Sequence, residues 1–175
     1  RVSKLVGAMG EWCSIDAPLH PMNNPTSFPK SGYDTVNGLV FFPRMLDKIR
    51  LHAAGRLPAD YNLGKGSDAR MCRFLAVNYA EVVARVHGGG DDGEVLEWCF
   101  ANGRRPSDEE IAYFNAFMTK RGWRDDASEK LAASKAKRGW AHRDDIQTGF
   151  DLQDAEEGRL AGVTTADRGT HVSRA

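Results

Sequence analysis

Residues 38–56 constrain the fold of this chain more than any other stretch. Pro43 suits the first turn of a helix, where its missing N–H costs nothing, and Gly55 suits the position just past the last turn. Between them, apolar side chains recur at helical spacing and form one broad stripe: Phe42, Met45, Leu46, Ile49 and Ala53. This pattern predicts the central helix of an all-α domain over residues 43–54.

The opposite side of this helix is charged but carries one leucine. Arg44, Asp47 and Lys48 lie there together with Leu51. A helix that is apolar on one face and keeps a leucine on the other is expected to be covered from two directions. The charged positions are expected to matter little for stability, so Lys48→Ala should cost under ~0.5 kcal/mol.

The composition fits one ordinary domain, with 175 residues of which 41% are hydrophobic and 27% charged. The 24 basic and 24 acidic residues balance, so no long-range field favours nucleic acid or an anionic membrane. No apolar run approaches the ~18 residues that span a bilayer, and the start does not resemble a secretory signal. Cys13, Cys72 and Cys99 are too scattered for a disulfide framework or a zinc site. We therefore predict a cytoplasmic protein with free thiols and without nucleic-acid or membrane partners.

Changes in periodicity predict the domain boundaries. Residues 1–21 show little periodicity and are predicted to be a non-native or disordered leader, with a natural start at Met22. Residues 22–159 are predicted to form a single helical domain, a compact bundle of about six or seven short helices preceded by an extended arm. Residues 160–175 are small and polar and are predicted to be a disordered tail. Within the domain, residues 35–42 have a strand-like composition and are expected to be briefly extended.

Capping signals mark several helix ends. Ser107 and Glu110 stand at capping-box spacing and open the most clearly signalled helix. Further boundaries are predicted at Ser67, at Asp91 or Asp92, and at Gly103.

One junction occurs twice. Lys-Arg-Gly-Trp stands at residues 120–123 and again at residues 137–140, and an Asp-Asp pair follows each copy. The cations complement a helix C-terminus, the glycine takes a left-handed exit, and aspartate caps the next helix. Trp123 and Trp140 are predicted to pack over the two joints.

A catalytic interpretation of the central helix rests on His52, at the edge of the apolar face. A general base or a metal ligand could lie there, with Asp47 on the same helix. Asp47 points well away from His52 around the helix, so the two are not a ready-made dyad. The competing interpretation is a partly buried histidine bonded to a carbonyl.

The loop before the next helix predicts an anion site. Residues 64–67 read Gly-Lys-Gly-Ser, and helix N-termini bind anions. The upstream glycine and the strand of a Walker motif are missing. The candidate residues are Lys65, Ser67 and Arg70, and the alternative is a flexible loop.

Acidic residues accumulate near the end of the domain. Asp151, Asp154 and Glu157 offer the oxygen ligands that calcium or magnesium prefers, although their spacing matches no EF-hand. The alternative is a solvated charged face, and no other cofactor is expected.

Four stretches together carry a family resemblance. They are residues 38–50, which contain Pro-Arg-Met-Leu-Asp-Lys, residues 94–98, residues 120–126 and residues 143–147. They resemble an uncharacterised bacterial family known only as a domain of unknown function, DUF5069. The likeness covers about residues 24–159, and it implies no established activity, cofactor or catalytic residue.

Two functional interpretations remain open. The first is a helical module that binds a protein partner or a second copy of itself, because no catalytic constellation and no charge imbalance are apparent. The second is a small hydrolase of esters or lactones, with His52 or the acidic cluster activating water, with or without a divalent metal.

Overall fold

The computed structural model describes residues 27–160, in which seven helices and one short hairpin occur. The helices are α1 (Phe42–Ala53), α2 (Ser67–Leu75), α3 (Tyr79–His87), α4 (Asp92–Asn102), α5 (Asp108–Lys120), α6 (Ser128–Lys137) and α7 (Gly149–Glu156). The all-α class and the number of helices were therefore predicted correctly. The leader predicted at residues 1–21 and nearly all of the predicted tail lie outside the described residues.

The stretch expected to be extended forms a hairpin that leads into α1. Strands β1 (Thr35–Val36) and β2 (Leu39–Val40) pair antiparallel, with Thr35 opposite Val40 and Val36 opposite Leu39. Asn37 and Gly38 make the turn with positive φ angles of 46° and 77°. Phe41 then adopts φ 67° and passes the chain directly into α1.

Helix α1 is the centre of the core, as its apolar stripe predicts, although Ala53 at the end of that stripe is exposed. Phe42, Met45, Leu46 and Ile49 are at most 2% exposed. The helix packs against α3 and β1, and α2 and α4 pack in turn on α3. Gly55 follows the helix with φ 65°, the left-handed exit that its position predicts.

The charged side of α1 is also buried, contrary to expectation. Arg44 is 2% exposed and Lys48 is 6% exposed, whereas Leu51 is only partly buried. The prediction that α1 is covered from two directions is right, but the second covering contacts its charged side chains. The prediction that Lys48 is unimportant for stability therefore rests on a wrong assumption about its environment.

Three helices begin with complete capping boxes. These pair Asp91 with Glu94, Ser107 with Glu110, and Thr148 with Asp151. Of the two candidates for α4, the cap is thus Asp91. Ser67 is not a cap, because Gly66 occupies that position and Ser67 is the first residue of α2.

The repeated junction keeps its glycine geometry, but its two tryptophans differ. Gly122 and Gly139 have positive φ angles of 102° and 72°, as a left-handed exit requires. Trp140 is partly buried, with the Arg143 guanidinium 5.3 Å from its ring centre. Trp123 is 46% exposed, with the Arg124 guanidinium 5.1 Å from its ring centre, so it does not seal the joint. Asp125 does not cap α6 either. It accepts the Gly122 and Ala127 backbone N–H groups and so stabilises the turn before the helix.

Ile49→Ala is expected to lower the free energy of unfolding by about 2–5 kcal/mol, because it leaves a cavity beneath α1. His52→Gln, on an exposed residue of the same helix, is the matched control and should cost under ~0.5 kcal/mol. Urea denaturation followed by circular dichroism measures both. Equal losses at the two positions would contradict the packing of α1.

Candidate functional site

A polar cavity of about 430 Å³ lies where α1 and α2 face the second half of the chain. Its walls come from α1, the loop at residues 60–66, the start of α2, the end of α5 and the helices α6 and α7. Seven cations and three acids line it: Arg44, Lys48, Lys65, Arg70, Arg121, Lys130, Arg138, Asp60, Glu156 and Glu157. The lining of the cavity therefore carries an excess of positive charge.

The inner wall is held by Arg44 of α1. Its guanidinium donates to the Glu157 carboxylate, with one contact of 2.9 Å, and to the Lys30 carbonyl at 2.7 Å. Tyr61 also donates to Glu157. Burial raises the pKa of the Glu157 carboxyl, but the hydrogen bonds from Arg44, Tyr61 and Arg159 together hold that pKa below its ordinary value. Glu157 is thus a fixed anion that ties the end of α7 to α1.

A second buried ion pair fixes the loop beside the cavity. The Lys48 ammonium donates to the carboxylate of Asp68, which is fully buried, and to the Asn62 carbonyl at 3.1 Å. The other oxygen of Asp68 accepts the Gly64 N–H at 2.9 Å. Burial lowers the pKa of Lys48 and raises that of Asp68, although each partner opposes the change in the other. These contacts hold the loop against α1 and α2.

The outer rim contains the cations that are available to a ligand. Within residues 27–160, the Lys65, Arg70 and Lys130 side chains form no ion pair or hydrogen bond with a protein group. Arg121 pairs with Asp125 at 2.8 Å and with Asp126, and Arg138 pairs with Glu156. The rim therefore presents an excess of positive charge, which Asp60 in the lining and Asp126 near Arg70 offset only in part.

The predicted anion residues are brought together here. Lys65, Ser67 and Arg70 all line the cavity, at the start of α2. The interpretation from sequence missed Arg121, Lys130 and Arg138, which reach the same cavity from α6 and from the C-terminal ends of α5 and α6. A signal for two of them was present, because Arg121 and Arg138 occupy equivalent positions in the repeated Lys-Arg-Gly-Trp junction.

The predicted catalytic residues lie elsewhere. His52 is exposed in the last turn of α1 and does not line the cavity. Asp47 accepts the Lys30 N–H at 3.2 Å and lies 3.6 Å from the Arg50 guanidinium. His52 is therefore not the partly buried, carbonyl-bonded residue of the competing interpretation.

The candidate metal ligands serve as hydrogen-bond acceptors. Asp151 accepts the Thr148 N–H at 2.8 Å, and Asp154 accepts the Ser31 hydroxyl at 2.7 Å, while Glu157 is bound by Arg44. In the part of the chain that the structure describes, no three His, Cys, Asp or Glu side chains are grouped to hold a metal ion. The structure thus gives these acids roles in α7 and in its attachment to α1.

The described cysteines are free and lie in the core. Cys72 is 6% exposed and Cys99 is fully buried. Burial raises the pKa of these thiols to about 11 and about 12, so both stay protonated near neutral pH. This agrees with the prediction of free thiols, while Cys13 lies outside the described residues.

Comparison with known proteins gives a family but no activity. No curated protein matches the sequence. Among residues 27–160, no helix combines the length and the apolar character needed to cross a bilayer. A family model described as a domain of unknown function, DUF5069, matches residues 26–159. The chain therefore belongs to the DUF5069 family.

Proposed function

We propose that this domain is a binding module whose cavity takes a small anionic ligand. The observation that carries the proposal is the convergence of Lys65, Arg70 and Lys130 on one cavity, where none of the three forms a hydrogen bond or ion pair within residues 27–160, although the exposed Asp126 carboxylate lies close enough to Arg70 to interact with its charge. Charge-assisted hydrogen bonds from ammonium and guanidinium groups to an oxyanion are among the stronger polar contacts in proteins. A ligand with phosphate or carboxylate groups would satisfy these three cations together.

The arrangement of charges favours the rim over the inner wall as the place of contact. Arg44 and Lys48 are already bonded to Glu157 and Asp68, and an anion that took them would leave those acids buried and unpaired. An anion that binds Lys65, Arg70 or Lys130 would not have to break a buried ion pair. The start of α2, where Ser67 lies, adds the partial positive charge of a helix N-terminus.

A binding measurement with defined anions tests this proposal. Isothermal titration calorimetry of the full chain with inorganic phosphate and with citrate should give saturable binding, and choline should give none. The double variant Lys65→Gln/Lys130→Gln should bind at least about tenfold more weakly, because two charge-assisted contacts are lost. Binding should also weaken as salt is added.

Lys137→Gln is the matched control, because Lys137 is exposed on α6 but does not line the cavity. Its affinity for either anion should stay within about twofold of the wild type. The proposal fails if neither anion binds, or if Lys137→Gln weakens binding as much as the double variant does.

The hydrolase alternative has less support from the geometry. His52 lies outside the cavity, and the acidic cluster is engaged in hydrogen bonds within the protein. An esterase or lactonase that depends on His52 would have to work outside this cavity, on an exposed side chain in the last turn of α1. We therefore favour binding over hydrolysis, and we place the domain in the reducing cytoplasm, which suits the free thiols of Cys72 and Cys99.

A further inference from the structure

Helix α5 exposes an unusual amount of aromatic surface. Of its 13 residues, Met118 is the buried one, while Tyr113 is 66% exposed and Phe117 is 47% exposed. The helix is nonetheless firmly attached on its other side. Asn115 accepts the Val40 N–H at 3.1 Å and donates to the Gly38 carbonyl at 2.6 Å, and the Phe114 ring stacks on that of Phe74. The exposed face is therefore carried on a fixed support.

Apart from Asp108 at its start, the exposed positions of α5 follow helical spacing and form a single stripe, which we call the α5 stripe: Glu109, Ala112, Tyr113, Ala116, Phe117 and Lys120. Aromatic side chains alternate with alanines along it. An acid stands at its first position and a lysine at its last. Side-chain size thus alternates along the stripe, and the charge changes from negative at its first position to positive at its last.

The side chains of the α5 stripe complement each other when the α5 helices of two copies pack antiparallel. Pairing Glu109 of one protomer with Lys120 of its partner places opposite charges together at both ends. The same register sets Tyr113 against Ala116 and Ala112 against Phe117, so that each aromatic side chain meets a small one. Complementary sizes allow two helices to approach closely without leaving voids. A parallel arrangement would place like charges together and lose this match.

We propose that the α5 stripe is the interface of a two-fold symmetric homodimer in which α5 packs antiparallel on α5 of a second copy. A two-fold interface needs one patch that complements itself, and the stripe meets that condition in both charge and size. Tyrosine and other aromatic side chains are also enriched where protein partners are buried against each other. None of the stripe residues lines the polar cavity, although the guanidinium of Arg121, which does line it, lies 5.6 Å from the centre of the Phe117 ring.

Sedimentation equilibrium of the full chain over a range of concentrations tests the proposal. The wild type should fit a monomer–dimer equilibrium. Tyr113→Ser/Phe117→Ser should raise the dimer dissociation constant by at least about tenfold, because the central aromatic contacts are lost. Lys137→Glu, a charge reversal at an exposed position outside the stripe, should leave that constant within about twofold. Thermal melting followed by circular dichroism verifies that each variant is folded.

A charge exchange tests the antiparallel register itself. Glu109→Lys and Lys120→Glu should each weaken their homodimers several-fold, because both ends then carry like charges. An equimolar mixture of these two variants should associate more tightly than either alone, since each lysine again meets a glutamate. A wild type that stays monomeric, a dimer that the aromatic changes leave intact, or a mixture no tighter than its components would each overturn the proposal.

Discussion

Replacing Lys48 with alanine is expected to lower the free energy of unfolding by about 3–5 kcal/mol, the cost of leaving a buried charge without its partner. Lys48 is 6% exposed, and its ammonium contacts the carboxylate of Asp68, which is fully buried. Without Lys48, the Gly64 N–H still donates a hydrogen bond to that carboxylate, but the cation that contacts it is lost. Urea denaturation followed by circular dichroism measures the loss, and Lys137→Ala, at an exposed position, should cost under ~0.5 kcal/mol.

The burial of both charges predicts that a double variant regains part of this loss. Burial lowers the pKa of Lys48 and raises the pKa of Asp68, so for each group the cost of burying a charge exceeds the attraction of its partner. Lys48→Met/Asp68→Asn removes both charges and keeps an acceptor for Gly64. It should recover at least half of the stability lost in Lys48→Ala. A Lys48→Ala variant within ~1 kcal/mol of the wild type would contradict the burial of this pair.

Much of the hydrophobic core of α1 and several helix boundaries could be predicted from local sequence patterns. The stripe of α1 predicted four buried apolar residues of the central helix, Phe42, Met45, Leu46 and Ile49, because a period of 3.6 places them on one face. Capping chemistry is equally local, so the start of α5 at Ser107 was predicted from residues three positions apart. These features depend on neighbours in sequence, and a single chain displays them directly.

The buried ion pairs could not be predicted in this way. A lysine in a helix has the same sequence signature whether it faces water or a buried carboxylate. Lys48 and Asp68 are 20 positions apart, and Arg44 and Glu157 are 113 apart, so no periodic pattern links the partners. The charged side of α1 therefore looked like a surface and is in fact an internal polar layer.

Some residues of the cavity could likewise be predicted from the sequence, and others could not. Lys65, Ser67 and Arg70 were found because a Gly-Lys-Gly-Ser segment before a helix has a local physical meaning. Lys130 carries no such signal, since its place in the cavity follows from how α6 lies against α7. The cavity residues at the start of α2 could thus be predicted from the sequence. Those that distant helices bring to the cavity through tertiary packing could not.

Gly103→Ala is the second substitution with a large expected effect. Gly103 ends α4, as predicted from sequence, but its φ of −130° shows that it does not make a left-handed exit. Its importance lies in close approach. A Cβ atom there would lie 2.2 Å from the Leu75 carbonyl oxygen and 2.7 Å from a methyl carbon of Val77. The segment that follows α2 must therefore move if any side chain is present.

The expected loss in unfolding free energy is about 2–4 kcal/mol. Overpacking against a backbone that cannot relax locally costs about 1–3 kcal/mol. The shift also endangers the hydrogen bond from the Arg104 N–H to the Leu75 carbonyl, 2.9 Å long, which contributes about 1 kcal/mol. Gly149→Ala is the control, because its Cβ would meet its nearest atom at an ordinary 3.6 Å and it lies at the first position of α7. Alanine favours a helix over glycine, so this control should be neutral or stabilising in urea denaturation. A Gly103→Ala variant as stable as Gly149→Ala would mean that α4 and the segment after α2 do not approach as closely as the structure places them.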